Sequence, residues 1–316
     1  MLELQEASGL ITVQDLGRTG WRRFGVPSSG PMDRFAFEAA NLLAGNSPTP
    51  AALEIGAGEV VLLAKEDCVV ALAGSGYALQ VNVWEFALWG SYFIRAGWTI
   101  HLRQSGFGMW AYLAMAGGIQ SPVVLGSRST YLRGHFGGHA GRALRAGDVL
   151  RGDPAARVLM ESAGQTLAPE ARPAYREEPV LEVVPGPQIS EFATETLRTL
   201  FSNPYSVTSA SDRMGYRLEG PPLKHDGKGD LPSEGIAMGS IQVPPDGAPI
   251  VMMADCATTG GYPKVASVIS ADLPLLAQCT PGKDRVRFRL TALEAAQERY
   301  WDLQRRLLAG IVKPQD

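Results

Sequence analysis

Apolar and polar residues alternate in short runs along most of this chain, and Gly, Pro, Asp or Asn bounds nearly every run. Glu59 to Leu63, Cys68 to Ala73, Trp98 to Leu102 and Arg285 to Leu290 are examples. Period-two alternation turns one face of a strand inward and the other outward, and many such short runs between turn residues predict barrels or sandwiches. Helical spacing is confined to Arg34 to Ala44, Ile189 to Phe201, Leu273 to Ala277 and a terminal stretch from Thr291 to about Leu308. In that last stretch Leu293, Ala296, Tyr300, Leu303 and Leu307 recur every three or four residues, with Glu294, Glu298, Arg299, Arg305 and Arg306 elsewhere around the cylinder. The pattern predicts a mainly β chain with a few helices and a C-terminal helix.

Length changes this picture by dividing it. At 316 residues the chain slightly exceeds the size at which one hydrophobic core stops growing. Apolar alternation fades between Arg151 and Pro179, where Pro, Ala, Arg and Glu take over as in a connector. The expected boundary lies at 178, giving domains 1–178, with the connector from about 151, and 179–316. The two sides carry a weak duplication: Arg18-Thr19-Gly20-Trp21-Arg22 after Asp15 matches Arg213-Met214-Gly215-Tyr216-Arg217 after Asp212.

Composition narrows the partners. With 45% hydrophobic residues, 36 glycines and 22 prolines, the chain has ample core and many turns. A net charge of -3 and scattered Lys and Arg offer no basic field for nucleic acid or anionic membranes. The first residues have no signal-peptide pattern and no long apolar run occurs, so a cytoplasmic protein is expected. Cys68, Cys256 and Cys279 form no Cys-x-x-Cys pair, which indicates neither disulfides nor zinc.

The most informative segment is Asp255-Cys256-Ala257-Thr258-Thr259-Gly260-Gly261-Tyr262-Pro263. Adjacent glycines can adopt positive φ and bring amides close to an oxyanion, two threonine hydroxyls add donors, and Pro263 fixes the exit. A plain glycine turn between strands is the competing reading. Cys256 beside it is a conceivable nucleophile with no histidine near it in sequence. Arg18 and Arg213 each adjoin a glycine and an aromatic, a setting in which a guanidinium stacks and still forks onto a carboxylate; ion pairs with Asp15 or Asp212 are the structural alternative. Ser29-Gly30-Pro31-Met32-Asp33 leads into the first helix, with Asp33 as its N-cap and Ser29 and the Gly30 amide as donors to an anion. Glu234 and Gln242 could orient an amide or urea-like group, against edge-strand solvation. His135 and His139 flank Gly137-Gly138 and make a weak metal signal, so no metal site is assigned. No Walker loop, dinucleotide fingerprint or Ser-His-Asp order is present.

These blocks together resemble a known family. Gln14-Asp15-Leu16-Gly17-Arg18, Gly25-Val26-Pro27, Ser29 to Asp33, Ala40-Asn41 and Gly45-Asn46 are similar to the opening of the biotin-dependent carboxyltransferase, or allophanate hydrolase subunit 2, family. Ser211 to Leu218, Ser233-Glu234-Gly235, Ile241 to Pro244 and Thr258 to Pro263 resemble its later blocks in order and spacing, from about residue 8 to 290. The resemblance implies two cyclophilin-like β-barrel domains. It also implies a role as the C component of a three-part ATP-dependent 5-oxoprolinase, which opens the lactam of 5-oxo-L-proline to L-glutamate. Its alternatives are the carboxyltransferase half of a urea carboxylase, fed by carboxybiotin, or a non-catalytic regulator of a KipI-like partner.

On that reading the chain is inactive alone and works with a KipI-like sister, the B component, and with a LamB/YcsF-type A component. ATP serves the complex, and no biotin is attached to this chain, which has no Met-Lys-Met segment. Arg213, Glu234, Asp255, Thr258 and Thr259 are the expected catalytic group, with Glu234 or Asp255 as base. Arg18, Ser29, Gly30, Asp33, Gln242, Gly260, Gly261 and Tyr262 are expected to bind the small-molecule substrate, Arg18 or Arg213 holding its carboxylate. Ala257 stands where relatives often carry a longer or cyclic residue, which bears on substrate choice.

Overall fold

The computed structural model describes residues 1–153, 161–224 and 231–313; within them the chain is mainly β and divides into two compact units. Unit 1 gathers the described parts of Met1–Arg18, Ser29–Arg172 and Arg305–Asp316, and unit 2 those of Thr19–Ser28 and Pro173–Gln304. The contiguous halves expected from sequence thus exchange two stretches, 19–28 and the chain's end. The expected connector carries a strand, Thr166–Leu167, and a 3-10 turn, Pro169–Ala171, both within unit 1; its residues 154–160 lie outside the described residues.

Unit 1 has two seven-stranded sheets among its described residues. One runs Ile119–Gln120, Val149–Gly152, Leu2–Ala7, Glu59–Ala64, Thr99–Gln104, Tyr77–Val81, Trp84–Phe86; the other runs Leu10–Gln14, Ala52–Gly56, Trp110–Met115, Cys68–Gly74, Gly90–Ile94, Thr166–Leu167, Ile311–Val312. Along Glu59–Ala64 the residues Val60, Leu62 and Ala64 turn inward, as alternation predicts. Trp110–Met115 is instead buried at every position, because helix α1 (Arg34–Leu43) covers its second face. Asp33 caps α1 as expected, accepting from the Ala36 amide at 2.9 Å, and Phe37 meets Tyr112 edge-on with centroids 5.9 Å apart.

In unit 2 seven strands close a barrel in the order Val180–Pro185, Lys264–Val268, Ser240–Gln242, Ile250–Met252, Gly215–Glu219, Tyr205–Val207, Arg285–Leu290. Closure is made by Val180–Pro185 lying parallel to Arg285–Leu290. Leu181, Val183, Tyr205, Tyr216, Ile241, Val251, Val265 and Phe288 fill the core. The predicted helix Ile189 to Phe201 is interrupted: a 3-10 turn, Ile189–Glu191, precedes α2 (Thr194–Ser202), since Phe192 takes an extended backbone. After α3 (Leu273–Ala277), the terminal helix α4 (Leu293–Ala309) is tethered by Arg299, which reaches Glu182 at 2.6 Å and the fully buried Asp272 at 2.7 Å.

The duplicated pentapeptides do not adopt the same structure. Arg213 and Met214 lead into the strand Gly215–Glu219, whereas Arg22 opens a 3-10 turn, Arg22–Phe24. Five shared letters cannot override different tertiary surroundings.

Asp148 anchors the turn after Arg142 through two 2.7 Å bonds from that guanidinium, with the Arg145 amide at 2.9 Å and His139 at 3.2 Å. Chiefly the Arg142 bonds, against the effect of burial, hold its carboxyl down to about 2. A depressed native pKa stabilises above the unfolded value and is lost as pH falls toward the folded one. Asp148→Asn is therefore expected to lower stability by about 2 kcal/mol at neutral pH. Urea unfolding should show the difference from wild type shrinking progressively from about pH 5 to pH 2.

Candidate active site

The polar residues of unit 2 assemble around two backbone elements. Glu234–Gly235 and Thr259–Gly260 form a two-stranded antiparallel ladder with Glu234 opposite Gly260, and the barrel strand Ser240–Gln242 brings Gln242 beside it. Thr258 contributes its carbonyl to the Ile236 amide at 3.1 Å, and Gly261 accepts from the Leu231 amide at 2.8 Å. Gln242 donates to the Tyr262 carbonyl at 3.4 Å. Glu234, Gln242, Thr258, Thr259, Gly260, Gly261 and Tyr262 are thus neighbours in space. Tyr262 and Thr259 are exposed, while Gln242 is buried.

The two glycines work differently from the expectation. Neither has the positive φ of an anion-cradling turn. They are needed for close approach: a Cβ on Gly260 would lie 2.6 Å from Ile236 Cδ1, and one on Gly261 would lie 2.7 Å from the Leu231 carbonyl oxygen. The backbone of this segment is neither an anion cradle nor a glycine turn: Thr259–Gly260 is a short paired strand. Beneath it, Ile236, Met252 and Cys256 make a small buried cluster.

Arg213 and Asp255 hold the root of the segment. Nε reaches Oδ2 at 2.8 Å and Nη2 reaches Oδ1 at 3.1 Å, with both side chains about 5% exposed. The Asp255 amide also donates to the Arg213 carbonyl at 2.8 Å. Asp255 is thus a partner of Arg213, and the Asp212 carboxylate accepts from the Met214 and Gly215 amides. Both Asp255 oxygens are taken up by the Arg213 fork, so its carboxylate is committed to anchoring the segment.

Glu234 is also engaged. Its Oε1 accepts from the Lys264 ammonium and, at 2.6 Å, from the Gln188 side-chain amide. Those bonds, Lys264 first, hold its carboxyl below the usual range, so it is a poor base. Lys264 and Gln188 were not singled out from sequence. Lys264 is 4% exposed and enters its strand at a bulge, where Ile241 pairs with Ala266 but Gln242 pairs with Lys264. Gln188 is fixed against the same strand by accepting from the Lys264 amide at 3.1 Å. Gly186 permits that approach, since a Cβ there would lie 2.1 Å from the Lys264 carbonyl oxygen.

Arg22 is a further residue the sequence did not flag. Its Nη2 donates to the Ile236 carbonyl and, at 3.5 Å, to that of Ala257, joining the ladder to the segment. Cys256 is 1% exposed, and burial pushes its thiol up despite Arg22 beside it. A buried neutral thiol is no nucleophile.

In unit 1 the remaining expected residues form a second group. Ser29 and Gly30 carry the positive φ, 54° and 94°, and Gly30 packs on the Leu16 and Asp15 carbonyls. The Asp33 amide donates to the Tyr112 hydroxyl at 2.8 Å, while Glu54 accepts from that hydroxyl and from the Met32 amide, each at 2.7 Å. Asp33, Tyr112 and Glu54 are completely buried, and burial raises the Tyr112 phenol far above its ordinary value. Arg18 is also completely buried, donates to the Ser129 carbonyl and lies 4.9 Å over the Phe136 ring. So placed, it braces that turn; it does not face a solvent-borne carboxylate.

Among the described residues, no group of three or more His, Cys, Asp or Glu is placed to hold a metal. No helix there is long and apolar enough to cross a membrane.

A family model described as carboxyltransferase domain, subdomain A and B, matches residues 24–290. The chain is 36% identical to the C subunit of 5-oxoprolinase from Haemophilus influenzae, covering 98% of this chain and 99% of that protein. It is 38% identical to the corresponding C subunit from Escherichia coli, covering 96% of each. The crystal structure of Kluyveromyces lactis urea carboxylase superposes with a TM-score of 0.90 at 28% identity, over 100% of this chain and 30% of that one.

Arg213→Met leaves Asp255 charged and buried without its fork, and is expected to cost about 3–5 kcal/mol in urea unfolding. A double variant, Arg213→Met with Asp255→Leu, should recover more than half of that loss. Full stability in the single variant would show that the pair does not anchor the segment.

Proposed function

Because the chain belongs to the carboxyltransferase-domain family, subdomains A and B, we propose that it is the C component of a multi-subunit 5-oxoprolinase that hydrolyses 5-oxo-L-proline to L-glutamate at the expense of ATP. One observation carries this reading: the match to two 5-oxoprolinase C subunits runs nearly end to end in both partners. In the urea carboxylase the same fold is 30% of a longer chain, and the remaining functions must there be supplied by the rest of it.

The proposed site is the ladder of unit 2. A lactam presents one carbonyl oxygen and one N–H; the Gln242 amide beside Gly260 carries both a donor and an acceptor for such a group, and Thr258 and Thr259 add hydroxyls on the same segment. Lactams are poor electrophiles, so phosphorylation of the lactam oxygen by ATP is the activating step we assign to the complex. Negative oxygen then develops at successive stages, and a fixed donor near it is worth about 3 kcal/mol in the transition state. With Glu234 and Asp255 both ion-paired, the base comes from another polypeptide of the complex. We assign that contribution to the KipI-like B component or the LamB/YcsF-type A component, consistent with an inactive isolated chain. In unit 1, Ser29 and Gly30 form a separate proposed substrate contact, and Asp33 shapes it through its cap.

The likeness to urea carboxylase favours a second reading, transfer of a carboxyl group from a carboxybiotin carried by another polypeptide to a urea-like acceptor.

The test is reconstitution from this chain and its two partner polypeptides. Glutamate release from 5-oxoproline is expected only with ATP and all three components, and should vanish when this chain is omitted. A stable three-part complex that releases no glutamate but moves the carboxyl group of carboxybiotin onto urea, giving carboxyurea and free biotin, would overturn the first reading in favour of the second. Binding to the KipI-like sister with neither activity would leave the regulatory role.

A further inference from the structure

Lys264 presents an unusual asymmetry. Its side chain is 5% exposed, whereas its counter-ion Glu234 is 42% exposed and rides on a two-residue strand. A buried ammonium is sustained only by a partner that both neutralises and hydrogen-bonds it. The cation is fixed by the barrel, between the bulge at Gln242 and the Pro185 to Gln188 crossing. The anion is fixed by little more than the cation itself. A second donor converges on the same carboxylate oxygen: the Gln188 amide, 2.6 Å from Glu234 Oε1, which is oriented independently by its bond from the Lys264 backbone. Removing the Glu234 side chain would leave an ammonium and an amide N–H aimed at one point, next to Gln242 and Gly260. That is the donor set of a carboxylate site.

We propose that Lys264 and Gln188 bind the carboxylate of a small-molecule substrate, and that the Glu234 side chain occupies this place in the unliganded protein and is displaced when the substrate arrives. Exchange of one carboxylate for another keeps the buried ammonium neutralised throughout, so the swap avoids the desolvation penalty of an unpaired charge. A neutral ligand cannot make that exchange. Selection for acids over their amides is therefore built into the site. Under the function proposed above the acid is 5-oxoproline, and only that identification rests on it; the anion site itself rests on Lys264, Gln188 and Glu234. Lys264 also replaces Arg18 and Arg213 as the cation for the substrate carboxylate, since Arg213 is already forked by Asp255 and Arg18 is enclosed in its turn.

The experiment measures binding of 5-oxoproline, its carboxamide and plain acetate to the assembled complex by calorimetry, beside KM and kcat for glutamate release. Glu234→Gln removes the resident anion and is expected to tighten 5-oxoproline about tenfold with the carboxamide unchanged. Lys264→Met should weaken the acid at least about tenfold and abolish its advantage over the carboxamide. Gln188→Leu should weaken it less. The double variant Glu234→Gln with Lys264→Met contains no unpaired charge, and must reproduce the loss in a complex whose thermal unfolding matches wild type. Glu234→Gln that weakens acid and amide alike, or a preference for the acid that survives Lys264→Met, overturns the proposal, as does a wild-type complex that binds no carboxylate. Lys264-dependent binding of acetate or 5-oxoproline without glutamate release would uphold the anion site while refuting the 5-oxoprolinase reading.

Discussion

The buried Arg213–Asp255 pair is the constraint on which the polar face of unit 2 depends. Two charges with side chains about 5% exposed are tolerated in the interior because they fork onto each other. That requirement fixes where the Asp255 to Pro263 segment leaves the barrel, because the same two residues also share a backbone hydrogen bond. Everything downstream inherits the position. Thr259 and Gly260 can pair with Gly235 and Glu234 only if the segment starts there, and Arg22 can reach the Ile236 and Ala257 carbonyls only if both lie side by side. An interaction that contributes little net stability against an apolar replacement still specifies one arrangement.

A second ion pair a few residues on is built to the opposite principle. Arg213 and Asp255 are equally enclosed, so neither can leave. Lys264 and Glu234 are enclosed unequally, which makes the carboxylate the partner that moves. Ion pairs of these two kinds look alike in a list of residues and differ in what they permit: the first is a joint, the second a latch. The depressed pKa of Glu234 follows from the latch being closed. Its weakness as a base is a consequence of the same contact and lasts only while that contact is closed.

What could be read from the sequence was local. Asp33 ahead of an amphipathic run is a cap whatever the fold, and the terminal helix follows from its spacing. The proximity of Glu234, Gln242 and the Thr258 to Tyr262 segment was legible through the ordered family blocks. Lys264 was not, because a lysine after a proline carries no mark of burial; its enclosure arises from a bulge and from a crossing permitted by Gly186, 78 residues earlier. Positive φ was placed on Gly260 and Gly261 and occurs at Ser29 and Gly30 instead. Glycine reports permission, and only the neighbours decide whether it is used for a turn or for close packing. Arg18 and Arg213, matched by their flanking letters, serve a buried turn in one unit and a loop root in the other.

The placement of Thr19–Ser28 with unit 2 has a further physical consequence. The chain passes between units after Arg18, before Ser29, after Arg172 and after Gln304. A fragment cut near 178 would therefore contain the ladder but not Arg22, leaving the Ile236 and Ala257 carbonyls without that donor and the buried Cys256 without its neighbouring guanidinium. The complementary fragment would carry the 3-10 turn Arg22–Phe24 with nothing of unit 2 to receive it. It would also lack the strand Ile311–Val312, which pairs with Thr166–Leu167 at the sheet edge. Each unit thus draws a structural element from beyond the midpoint of the chain. Neither half is structurally complete without the other, and the polar face that we assign to substrate is completed by a segment encoded some 210 residues before it.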